Sequence, residues 1–166
     1  MILRPETPDD HAAIVLLTQE AFAPMPFADG DEGPAIDALR AAGDLILSLV
    51  VEIDGEVVGQ ITFSPVTFEP PADGWVALGP VAVAPSHQGR GLGRALIDTG
   101  LARMREAGYR GVVLIGDPDL YCRFGFQSSG QLTYGKLDTR FVQFAAFTDE
   151  VPTGEVHFAP ALEEVA

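Results

Sequence analysis

The hexad Gln88-Gly89-Arg90-Gly91-Leu92-Gly93 stands between an apolar, strand-like run, Val76 to Val83, and a helical pattern that continues to about Ala107. Alternate glycines at a strand-to-helix junction restrict the fold sharply. They let the chain turn through conformations closed to other residues and bring backbone N–H groups close to a ligand. The following helix points the positive end of its dipole at the same spot, so an anion, above all a phosphate or pyrophosphate, is the natural occupant. A chain built around this hexad needs a sheet strand before it and a helix packed back onto that sheet after it.

The flanking pattern supplies both. Ile2-Leu3-Arg4 reads as a short first strand. Thr7 as N-cap, Pro8 at the first helical position and the acids Asp9 and Asp10 then open a helix carried by Ile14, Leu17 and Ala21 to about Phe22. A Pro/Gly/Asp-rich break, Ala23 to Gly33, precedes a second helix from Pro34 to Ala42. Leu45 to Ile53 and Val57 to Phe63 are strands joined at Asp54-Gly55, a hairpin signal. Strict alternation places Val57, Gly59, Ile61 and Phe63 on one face. Val58, Gln60, Thr62 and Ser64 fall on the other, a face polar enough to border a cleft. Trp75 to Val83 is the next strand, and Gly79-Pro80 within it predicts a bulge or a gap in pairing.

After the hexad, Leu96, Ile97, Gly100, Leu101 and Met104 form an apolar stripe for a sheet. Gly111 to Ile115 reads as a buried parallel strand, Pro118 to Phe124 as a short helix and Arg140 to Phe147 as a late strand. From about residue 148 the pattern is weak and predicts no element. The reading is a single α/β domain over residues 1–166, with a mixed sheet and a strand–loop–helix–strand unit at its centre.

Composition narrows the function classes. With 47% apolar residues the chain can bury a full core, yet no run of about 18 apolar residues offers a membrane span. The start, Met1-Ile2-Leu3-Arg4-Pro5, does not resemble a secretory leader, and the lone Cys122 cannot form an internal disulfide or a paired-cysteine metal site. These features predict a cytoplasmic protein, a monomer or homodimer without a membrane partner. The formal net charge of −14 argues against nucleic acid and favours cationic or amine-bearing small molecules. Arg90, Arg94, Arg103, Arg105 and Arg110 run against that balance, clustered around the hexad and its helix. His11 and His157 lack companions for a metal site, and none is predicted.

Three glycine-loop families compete for the hexad. A P-loop requires Gly-x-x-x-x-Gly-Lys-Ser/Thr, and no Lys-Ser/Thr follows. A dinucleotide site requires Gly-x-Gly-x-x-Gly after the first strand of a βαβ unit, whereas here the spacing is Gly-x-Gly-x-Gly after a hairpin and a third long strand. The hexad instead resembles the pyrophosphate loop (Gln/Arg-x-x-Gly-x-Gly/Ala) of the GNAT superfamily of acetyl-CoA-dependent N-acetyltransferases. Val81-Ala82-Val83-Ala84-Pro85 stands before it as that family's central strand does, and Tyr121-Cys122-Arg123-Phe124-Gly125-Phe126 is similar to the family's later Tyr-x-x-x-Gly-Phe. The likeness is strong from about Leu78 to Phe126.

That resemblance implies a largely antiparallel central sheet of about six to seven strands with a parallel, splayed pair at its centre, flanked by about four helices. It implies acetyl-CoA as co-substrate and direct transfer of its acetyl group to a primary amine, on a small molecule or a protein. Val81, Ala82 and Val83 would lie along the pantetheine arm. The backbone of Gln88, Gly89, Arg90, Gly91, Leu92 and Gly93, with Arg94 beside it, would hold the pyrophosphate. Gly116 would keep the far wall low, and Tyr121 would protonate the departing thiolate. Asp117 is the first candidate for the base, although N-capping of the helix begun by Pro118 explains it equally well. Ser64, Glu52 and bulk water stand behind it. Cys122 reads as a small buried residue without a nearby His to activate it. His87 is a loop residue, and Phe22, Met25, Phe27 and Trp75 are candidates for the acceptor pocket or for plain core. The alternative function is a non-catalytic acyl-CoA-binding module.

Overall fold

The computed structural model describes residues 1–26 and 28–163. Its element order begins with β1 (Ile2–Pro5), a 3-10 turn at Pro8–Asp10, α1 (His11–Phe22) and α2 (Glu32–Ala41). β2 (Leu47–Ile53), β3 (Glu56–Glu69) and β4 (Trp75–Val83) follow. The expected central unit is then completed by α3 (Leu92–Glu106) and β5 (Gly111–Ile115). The chain closes with α4 (Pro118–Tyr121), β6 (Leu132–Thr133), β7 (Val142–Ala146), β8 (Gly154–Phe158) and α5 (Pro160–Glu163). The main sheet runs β1-β2-β3-β4-β5-β7, antiparallel except for the β4–β5 pair. With β6 and β8 the strands among the described residues number eight, so the mixed, mostly antiparallel sheet is as expected, with β6 and β8 added to the strands read from the sequence.

α3 lays Leu92, Leu96, Ile97, Gly100 and Met104 on one face of the sheet, against Ile61, Phe63, Val76 and Leu78. α1 and α2 cover the opposite face through Ile14, Leu17, Ala21 and Ile36. Two bulges decide which side chains see which layer. Val51 pairs with Gly59 but Glu52 with Val57, so Val58 is an extra residue in its strand. This reverses two expectations: Val57 packs under α1 and Val58 under α3, whereas strict alternation put them the other way. The second bulge sits at Gly79-Pro80, where the pairing steps from Phe63↔Leu78 to Ile61↔Val81. Gly79 there has φ +134°, and the residue after it is a proline that cannot donate to a ladder.

β3 is twice as long as the sequence pattern suggested. Its second half leaves the main sheet and pairs with β8 through Val66↔Phe158 and Phe68↔Val156. β8 and α5 therefore occupy a stretch for which no element was expected. Leu39 of α2 packs on Ala159 and Ala161, which fixes the C-terminal segment beside the second helix. Among the described residues no helix is long and apolar enough to cross a membrane.

Candidate active site

β4 and β5 pair only from Trp75↔Gly111 to Ala77↔Val113. Beyond Ala77 they part, and a gap opens in the middle of the sheet. The N–H of Ala84 donates to Val58 O (2.8 Å), and Pro80 O accepts the Thr62 hydroxyl (2.9 Å), so the even-numbered residues face β3. Alternation then turns the N–H and C=O of Val81 and Val83 toward the gap. Ala82, between them, pairs with Gln60 and packs its methyl with Leu17 and Ala21 of α1.

At the end of β4 a short 3-10 turn, Pro85–His87, leads into the hexad. Gly89 (φ +78°) and Gly91 (φ +82°) adopt the left-handed backbone that glycine alone takes freely. Gly91 caps α3, and the first helical bond runs from Ala95 N–H to Gly91 O (3.1 Å). The N–H groups of Leu92, Gly93 and Arg94 thus have no acceptor within the helix. Among the described residues nothing else takes them. The side chain of Gln88 folds back, its Nε2 donating to Val83 O (3.0 Å), and ties the loop to the strand. Arg90 and Arg94 stay exposed at the loop, Arg94 within 3.8 Å of Asp98. The other clustered arginines lie elsewhere. Arg103 and Arg105 occupy the last turn of α3, about 20 Å along the helix, and Arg110 pairs with Glu150 (2.9 Å). Positive charge is therefore confined to the loop more tightly than the sequence suggested.

Across the gap, Tyr121 closes α4. It borders the same apolar cluster as Val81 and Val83, and its ring meets Phe126 edge-on at 5.9 Å. Burial, and secondarily the charge of Asp117, push its phenol above the ordinary value of 10.0. Among the described residues its hydroxyl has no partner. Gly116 leaves room for the Tyr121 ring, since a Cβ there would lie 2.5 Å from it. Asp117 is the N-cap of α4, its Oδ1 accepting the N–H of Asp119 (2.9 Å), and the carboxylate is exposed. The remaining base candidates sit apart. Glu52 lies 3.4 Å from Arg4 at the β1 edge. Ser64 is fully buried opposite Ala77, its hydroxyl without a partner among the described residues.

The other candidates separate cleanly. Trp75 is core, packed edge-on to Phe68 and Phe144. Phe22 packs with Leu17 and Ala21, Met25 is exposed, and Phe27 lies outside the described residues. His87 contacts Ser86 (2.8 Å). Cys122 is exposed rather than buried, because the short helix carrying it rests on the sheet through Tyr121 and Phe124 instead. It lines a cavity of about 410 Å³ with Arg140 and Gln143, and no residue of β4 reaches that cavity.

Sequence reasoning missed a second cavity. About 390 Å³ in volume, it opens at the β4–β5 gap against Leu78, Gly79, Pro80 and Ile115. Its outer walls are Asp29 and Glu32 before and at the start of α2, and Tyr134, Phe158 and Leu162 from the C-terminal segment. The alternating Val156 and Phe158 opposite Val66 and Phe68 was the available signal.

Comparison with known proteins identifies relatives of the fold. The acetyltransferase (GNAT) family model matches residues 14–126. The uncharacterized N-acetyltransferase YhbS of Escherichia coli K12 is 39% identical over 128 residues, 76% of this chain and 74% of that protein. A GNAT family acetyltransferase from Brucella melitensis, crystallised with acetyl-CoA, superposes with a TM-score of 0.87 at 44% identity, covering 97% of both chains. The E. coli YhbS structure with CoA gives 0.88 at 33% identity, over 98% of this chain and 91% of its own.

Proposed function

The chain belongs to the GNAT family of acetyltransferases, and from that membership we propose that it moves the acetyl group of acetyl-CoA to a primary amine by direct attack. One observation carries the reading: where the β4–β5 pair parts, the backbone of Val81 and the N–H of Val83 turn toward a gap that the loop before α3 and Tyr121 also border, the carbonyl of Val83 being taken by Gln88. The two GNAT relatives crystallised with acetyl-CoA and CoA support acetyl-CoA as the co-substrate. The lone Cys122, without a disulfide partner, suits work in the cytoplasm.

In this reading the N–H groups of Gln88 to Arg94 hold the pyrophosphate at the positive end of α3. Val81 and Val83 offer backbone groups to the pantetheine arm and the thioester carbonyl, and Ala82 holds the strand in place between them. Direct attack needs no enzyme nucleophile, so Cys122 has no part in it. The protein orients the thioester, polarises its carbonyl and supplies the proton that the thiolate takes on leaving. Tyr121 is that acid. Its half-buried phenol stays protonated at neutral pH and gives its proton to the thiolate, which leaves far more readily than the amine, so C–S cleavage is favoured. Asp117, four residues before it, is exposed, caps α4 and holds the tyrosine's helix in place.

Replacing Tyr121 with Phe tests the assignment. Acetyl transfer, followed as free CoA release, should fall by about 10²-fold or more, while CoA affinity stays within about twofold. Unchanged turnover would remove the acid role. Tight CoA binding with no amine ever acetylated would favour the non-catalytic binding module.

A further inference from the structure

We infer that the 390 Å³ cavity is the acceptor site, and that it selects a primary amine carried on an uncharged, apolar body, with Glu32 holding the ammonium. This rests on the acetyl-transfer reading above and names the substrate class for it. The cavity lies at the point where β4 and β5 part, bounded by Leu78, Gly79, Pro80 and Ile115, so its occupant meets the gap directly. Its volume falls within the range of small-molecule pockets.

Two features of the lining set the class. The walls away from the sheet are apolar, formed by Phe158 and Leu162, with Tyr134 set edge-on to Phe158 at 5.1 Å. Among the described residues the charged side chains lining the cavity are Asp29 and Glu32, with no Lys, Arg or His. An acceptor bearing its own carboxylate or phosphate would find no cation to meet it. Asp29 is exposed and its Oδ1 already accepts the N–H of Asp31 (2.9 Å), so a polyamine reaching inward from Glu32 would press its second ammonium against Phe158 and Leu162, at a desolvation cost. A single ammonium on an apolar body satisfies both walls.

Glu32 is placed to receive that ammonium. Its Oε2 is buried and has no hydrogen-bond donor among the described residues, which is costly for a carboxylate unless a ligand supplies one. The residue opens α2, and Gln19 of α1 pins that start by donating to Gly30 O (2.5 Å) and accepting from Gly33 N–H (2.9 Å). The carboxylate is therefore carried on a fixed turn. One proton of the bound ammonium passes to Glu32 and on to water. The freed lone pair attacks the thioester carbonyl carbon, the C–N bond forms and the C–S bond breaks. The thiolate takes the proton of Tyr121, and the second proton lost from nitrogen restores the phenol.

The test uses the full chain loaded with CoA and three probes: 2-phenylethylamine, phenylalanine (the same body with a carboxylate) and spermidine. Saturation-transfer NMR should show 2-phenylethylamine bound, and free CoA release should show it acetylated at least about tenfold better in kcat/KM than the other two. Glu32→Gln should raise its KM about tenfold with CoA affinity held within about twofold by calorimetry. Leu162→Lys, which brings a cation to the cavity wall, should do the same by a different route. Preference for phenylalanine or spermidine, no binding of 2-phenylethylamine to the CoA-loaded protein, or an unmoved KM in both variants overturns the inference and leaves acetyl transfer standing. Absence of CoA binding overturns both.

Discussion

At the scale of single residues, the acid proposed beside the gap depends on a tyrosine and the glycine against its ring. Tyr121 is held above its ordinary 10.0, first by desolvation and then by the Asp117 charge. A raised phenol is a competent acid at every pH below its new value and is lost only as pH rises through it. We therefore expect kcat to show no alkaline downturn up to about pH 10 from this group. An ultraviolet titration should show that Tyr121→Phe removes a tyrosine that ionises late. A downturn near pH 8 that disappears in this variant would contradict the assignment. Gly116→Ala addresses position rather than acidity. The new methyl would lie 2.5 Å from the ring, so the ring must move. We expect about tenfold or greater loss of kcat with CoA affinity unchanged, and equal kcat in the variant would show that the ring's placement is irrelevant to turnover.

At the scale of elements, the strand-to-helix junction fixes the cofactor side. Gly91 both caps α3 and adopts φ +82°, so Gly91→Ala places a Cβ in a conformation that costs about 1–2 kcal/mol. Open space surrounds that position, so the strain should appear as altered loop geometry rather than a clash. CoA affinity should weaken about tenfold by calorimetry while thermal stability changes little; unchanged affinity would mean that the N–H cradle does not hold the pyrophosphate. This unit was legible in the sequence because every signal in it is local: Gly89 and Gly91 for the turn, Leu96 to Met104 for the stripe, and Gly79-Pro80 for the break. What the sequence concealed is non-local. The bulge at Val58 swaps the faces of Val57 and Val58, and nothing within the strand announces it. β8 forms because Val156 and Phe158 meet Val66 and Phe68 some 90 residues earlier in the chain. With β8 unread, the walls at Tyr134, Phe158 and Leu162 stayed hidden, and with them the cavity. Glu32 was hidden too, since only tertiary packing distinguishes it from the other acids of an acidic chain.

At the scale of the whole molecule, an acidic protein must hold its negative charges where folding needs them, and it does so at the edge opposite the gap. Arg4 of β1 grips Asp10 through two contacts, 2.7 and 3.1 Å, and reaches Glu52 of β2 at 3.4 Å. Asp10 also accepts the N–H of Thr7 (2.7 Å), so one buried carboxylate joins the first strand to the turn that opens α1. Arg40 of α2 binds Glu6 in the same way, at 2.8 and 2.9 Å, and brings the second helix into this corner. The hydrogen bonds from Arg4, outweighing burial, hold the Asp10 carboxyl at about 2 rather than 3.8. A depressed carboxyl contributes stability that is fully present above its unfolded value and is lost as pH falls through the folded one. The window is therefore about pH 4 down to about pH 2, and the linked stabilisation is about 2 kcal/mol. Asp10→Asn should be less stable than the parent by about that amount in denaturant melts at pH 7. The difference should close as the pH approaches 2, where the parent's own carboxyl is protonated. An equal gap at both pH values would assign the effect to packing at Thr7 and α1 instead, and would leave the Arg4–Asp10 charge pair without a role in holding β1 to the sheet.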